Sequence, residues 1–74
     1  LNVGLTAKTD VRVEIYDVAG RRVRNVLAPA QEKGWNTLRI VARDDRGALL
    51  PSGVYFWRAR ANGTNVTRKI MIAR

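Results

Sequence analysis

Neither cysteine nor histidine occurs in this chain of 74 residues. Without cysteine no disulfide can staple a small core and no thiolate can hold zinc. Without histidine the commonest general base and metal ligand are gone, and with them any Ser-His-Asp or Cys-His arrangement. Ser52 therefore has no histidine to activate it, and neither catalysis nor a cofactor is expected. Acids are scarce: six Asp and Glu stand against fourteen Lys and Arg, for a net charge of +8. No apolar run approaches the roughly 20 residues with which a helix crosses a bilayer. No signal or transit peptide is visible, and the chain opens on Leu1 rather than Met. The expectation is one small domain over residues 1–74, a fragment or processed piece of a longer protein.

What the chain does have is alternation with a period of two. Val11, Val13 and Ile15 alternate with Arg12, Glu14 and Tyr16, which gives one oily side and one wet side, the pattern of a half-buried strand. Asp17-Val18-Ala19-Gly20 interrupts the pattern and a second run, Arg21 to Leu27, follows at once. Asp17 can accept backbone amides of a tight turn, and Gly20 can close it with a positive φ. Leu1 to Leu5 reads as a first short strand, with Thr6 to Asp10 a turn. The run Arg21 to Leu27 is expected to set Val23 and Leu27 on one side. Pro29, lacking an amide proton, should end its pairing, and Ala28 to Gly34 then reads as a connection.

Trp35 to Arg43 reads as a fourth strand with Leu38, Ile40 and Ala42 inward. Asp44, Asp45 and Gly47 shape a turn-rich loop that leads to Pro51, Ser52 and Gly53. Gly53 to Ala61 is a fifth strand, with Tyr55 and Trp57 inward because Arg58 and Arg60 should lie on the wetter side. Asn62-Gly63-Thr64-Asn65 signals another hairpin, and Val66 to Ala73 forms the last strand, with Ile70 and Ile72 inward. The expected core is thus Val11, Val13, Ile15, Val23, Leu38, Ile40, Tyr55, Trp57, Ile70 and Ile72. Six short strands separated by turn signals, with no competing helical period, predict a small antiparallel β-sandwich or barrel.

Several motifs invite a functional reading. Asp44 and Asp45 near Gly47 lack the spaced acidic series of a calcium loop, so a structural turn is the stronger reading. Asn62 and Asn65 both open N-glycosylation patterns, but Asn-Gly also suits a tight hairpin for its own sake. Arg12, Arg39, Arg58 and Arg60 with Phe56 suggest a basic surface, yet one exposed aromatic is a thin stacking platform. No specific nucleic-acid partner is expected; an anionic surface polysaccharide is the alternative ligand for these arginines.

The strings VRVEIYDVAGRRVR, DDRG, LPSGVYFWRA and TRKIMIAR together resemble the immunoglobulin-like C-terminal module of bacterial extracellular proteins. They are similar to the Ig-like domain of the flagellar hook-cap protein and to the C-terminal sorting domain of type IX secretion cargo. Where such modules carry a tryptophan, a small or acidic residue and a glycine before the DDRG-like loop, this chain has Ile40, Val41 and Ala42. Trp35 or Trp57 would then supply the missing volume. The resemblance implies an all-β fold, a small antiparallel immunoglobulin-like β-sandwich of about six to seven strands. It also implies a non-catalytic module at the bacterial cell surface or outside it, used for sorting, attachment or assembly. Its partner would be secretion or assembly machinery, engaged through the last strand with Arg68, Lys69 and Arg74. Pairing between identical subunits into an extracellular filament is the alternative.

Overall fold

A computed structural model describes residues 2–62 and 64–73. Six strands make it up: β1 (Asn2–Leu5), β2 (Thr9–Asp17), β3 (Arg22–Gln31), β4 (Gly34–Thr37), β5 (Gly53–Ala61) and β6 (Thr64–Ile72). All pairings are antiparallel. A four-stranded sheet in the order β3-β2-β5-β6 faces a two-stranded sheet, β1-β4. Residues 38–50 complete the second layer as an irregular stretch and a small hairpin, closed by the Arg43–Leu49 bridge. The architecture is a small all-β sandwich of the immunoglobulin type.

Alternation along β2 drives the packing. Val11, Val13 and Ile15 are buried and face the second layer. Val3, Leu5, Val11, Val13, Leu38 and Ala59 form one apolar cluster. Ile15, Leu50 and Tyr55 form another, with Val23, Ile70 and Ile72 packed against it. Trp57 and Ile40 touch both clusters and join the two halves of the core. Val3, Leu5, Leu50 and Ala59, the last on the inward face shared with Tyr55 and Trp57, are buried as well and enlarge the expected core.

Three expectations are corrected. Pro29 does not end the β3 pairing, which runs on to Thr9–Gln31. The ladder instead bulges at Pro29 and Ala30, with Ala30 at φ 52°, so the missing proline amide falls where no rung needs it. A second irregularity lies where Ile15 pairs with Arg24 but Tyr16 with Arg22. That extra residue puts Val23 toward the core while Leu27 pairs with Arg12 on the outer face. Finally, the fourth strand stops at Thr37. Leu38 is buried and Ile40 packs inward as its alternation implies, but this stretch is not part of a ladder strand.

Candidate functional site

Two turns share one sequence pattern and one geometry. In Asp17–Arg21, the Asp17 Oδ1 accepts the amides of Ala19 and Arg21, both at 3.0 Å. In Asp44–Ala48, the Asp44 Oδ1 accepts the amides of Arg46 and Ala48, both at 2.9 Å. In each the fourth residue is a glycine in the left-handed region, Gly20 at 82° and Gly47 at 86°. The Arg21 amide, above all, holds the Asp17 carboxyl below its ordinary range, and the Arg21 side chain and the Ala19 amide add to it. Asp45 serves another purpose. Its amide donates to the Val23 carbonyl and its Oδ1 accepts the Asn25 amide, which clips the 41–50 hairpin onto the β3 bulge. Arg24 reinforces the clip by donating to the Arg43 carbonyl at 3.1 Å. The DDRG acids are therefore occupied by backbone amides, which is the work of a structural turn.

One flank of the sandwich is thereby blunted: β3 is clipped at Val23 and Asn25 and bulged at Pro29 and Ala30. The other is β6. Its register with β5 runs without a shift from Gly53–Ile72 to Ala61–Thr64, so the edge is straight and regular. Among the described residues it pairs with β5 alone. Beside it a cavity of about 230 Å³ opens between the layers, lined by apolar residues that include Ile40, Val41, Trp57, Ile70 and Ile72. It lies at Ile40, Val41 and Ala42, the positions where a tryptophan motif was expected. Trp57 fills part of that space. Trp35 does not: it is 83% exposed, with its indole lying across Gly4 on the outside of the small sheet.

The outer face of the four-stranded sheet has its own organisation. Glu14, expected on the wet side, is only 2% exposed. Its Oε2 accepts the Tyr16 hydroxyl at 3.0 Å and Arg22 Nη1 at 3.3 Å, while Arg60 Nη2 lies 2.7 Å from Oε1. Burial opposes the charge, yet the Tyr16 hydroxyl and the two guanidiniums outweigh it and hold the carboxyl below its ordinary value. Arg58 lies over the Tyr16 ring, 5.7 Å from its centroid.

A family model for the FlgD Ig-like domain matches residues 1–65. The chain belongs to this family. No curated protein and no solved structure matches it. The FlgD Ig-like domain is a structural, non-catalytic module tied to flagellar hook assembly. The match takes in both Asp-x-x-Gly turns and all of β5, and it ends just inside β6.

Within this FlgD Ig-like frame the expected site residues separate into groups. Asp17, Gly20, Asp44, Asp45 and Gly47 lie in the two turns, and Gly53 opens β5 with φ 155°. Of the expected core, Val11, Val13, Ile15, Leu38 and Tyr55 are buried, while Val23, Ile40, Trp57, Ile70 and Ile72 are half-buried. Arg68 and Lys69 are exposed on β6, whereas Arg74 lies outside the described residues, as does Gly63 of the Asn62 pattern. Arg12, Arg58 and Arg60 come together as expected of a basic surface, but Arg39 belongs to the opposite layer. Glu14 was missed because alternation assigns a face and says nothing about what closes over it. The one signal was a lone acid set among Arg12, Arg22 and Arg60.

Proposed function

We propose that this chain is the assembly module of a larger exported bacterial protein, acting outside the cell or at its surface. The observation that carries this reading is the open flank. A straight nine-residue edge strand beside an apolar cavity offers main-chain hydrogen bonds and side-chain pockets together, the two ingredients of strand addition. Arg68 and Lys69 sit near the middle of that edge and favour an acidic incoming segment from secretion or assembly machinery. Self-pairing into a filament draws on the same edge, but an antiparallel β6–β6 contact would bring these cations together, on a chain of net charge +8.

The test uses the parent protein. An Arg68→Glu/Lys69→Glu variant and a Val41→Glu variant alter exposed positions and should melt within a few degrees of the unmodified protein. Both should fail to reach, or to be retained at, the cell surface. Normal delivery of both folded variants would remove the edge from the mechanism. A particle mass far above 8.3 kDa for the isolated chain would favour the filament instead.

A further inference from the structure

We infer that the outer face of the β3-β2-β5-β6 sheet, which shares only Lys69 with the proposed edge contact, docks an acidic protein surface. Strand register builds this face in rows. Leu27, Arg12, Arg60 and Asn65 form one row across the four strands; Asn25, Glu14, Arg58 and Thr67 form the next; Arg22, Tyr16, Phe56 and Lys69 form the third. Val54 and Met71 pair beyond them.

The charge on this face is in excess of what the fold needs. Glu14 engages Arg22 and Arg60. Arg12, Arg58 and Lys69 add three more cations, none of them ion-paired to a carboxylate among the described residues. Asp10, at the end of the same face, has an oxygen bonded to the Ala30 amide at 2.8 Å. Arg12 stands directly opposite Arg60, and the one carboxylate paired with either among the described residues, that of Glu14, is shared between Arg60 and Arg22, so the positive charge is not balanced. The side chains are also held in place. Arg12 donates to the Asn25 Oδ1 at 3.0 Å, Arg58 rests on Tyr16, and Glu14 orders Arg22 and Arg60. Guanidiniums fixed in this way lose little further freedom on binding and keep unused N–H groups for carboxylates.

Apolar groups on the same face decide between classes of anion. Phe56 is 38% exposed, Leu27 50% and Met71 77%. Arginine, aromatic and methionine side chains around a desolvated centre are the composition of protein interfaces. A polyanionic glycan has no use for Met71 or Leu27. Strands of nine residues in a sheet of four make a face roughly 30 Å by 15–20 Å, which with side-chain relief approaches the ~800 Å² per partner of a standard interface. A second copy carries the same cations and is repelled.

The experiment titrates the chain, followed by amide NMR shifts at physiological salt, with three probes: a synthetic peptide of glutamate and phenylalanine, poly-glutamate and heparin. The mixed peptide should bind tightest and shift amides of Arg12, Tyr16, Phe56, Arg58 and Lys69. Arg12→Ser/Arg58→Ser should weaken it about tenfold or more, and Phe56→Ser by about fivefold. Arg39→Ser/Arg46→Ser removes the same charge elsewhere and should leave affinity within about twofold. Equal weakening by both arginine pairs, or heparin or poly-glutamate binding as tightly as the mixed peptide, would reduce the effect to diffuse charge attraction and overturn the inference.

Discussion

Glu14 holds a charge where water scarcely reaches, so its ionisation is linked to folding. Its folded-state value lies below the ordinary 4.5, so its contribution is complete above that pH and is lost as pH falls through the lowered value. Asp17, lowered chiefly by the Arg21 amide, acts in the same direction. The melting temperature should therefore drop as pH falls below about 4.5, the ordinary value of Glu14. Glu14→Gln should lower stability at neutral pH by about 1–3 kcal/mol and make the acid limb shallower. Thermal melts of both proteins from pH 7 to pH 3 provide the check, and an unchanged acid limb in the variant would count against the linkage. Gly47 offers a second test at this scale. A Cβ there meets nothing within 4 Å, so any cost of substitution is conformational. Gly47→Ala should cost about 1–2 kcal/mol, and Gly47→Asn visibly less, because asparagine tolerates the left-handed region. Urea titration of the pair separates strain from lost packing.

Among the elements, β5 was the most legible. Glycine opens it, alternating residues follow, and observed and expected limits coincide at Gly53–Ala61. Tyr55 also ties its strand to the preceding loop by donating to the Pro51 carbonyl at 2.8 Å. β3 was the least legible, for a physical reason. A bulge absorbs a proline and reverses side-chain facing, and alternation counted along one strand cannot show an extra residue that only the partner strand defines. Residues 38–42 fail differently. Leu38 and Ile40 do point inward, but hydrogen-bonded pairing depends on a neighbour the local pattern does not specify. The Glu14 cluster was hidden for the same reason, since Arg22 and Arg60 reach it from β3 and β5. The bulge carries its own prediction. Ala30 bears left-handed strain at φ 52°, so Ala30→Gly should raise stability by about 0.5–1 kcal/mol after the entropy of the glycine is subtracted. That corresponds to a melting temperature higher by about 2–8 °C. A lower one would mean the Ala30 conformation is unstrained.

At the level of the whole molecule, the two halves of the core depend on the side chains that bridge them. Trp57 packs against both clusters while lining the open cavity. Trp57→Ala should cost about 3 kcal/mol, more than half of the ~5 kcal/mol at the lower end of natural stabilities. Calorimetry should show the variant close to unfolded at 37 °C, and an unaltered transition would mean the ring contributes no net packing.

The two long edges of the sandwich also differ in kind. β3 is bent by its bulges and clipped by Asp45, while β6 is left straight. A brick with mortar on one side can receive a neighbour there but offers no matching side to the next brick. Such a unit ends a row instead of lengthening it, and the stoichiometry of any strand-mediated complex it forms should stop at one to one.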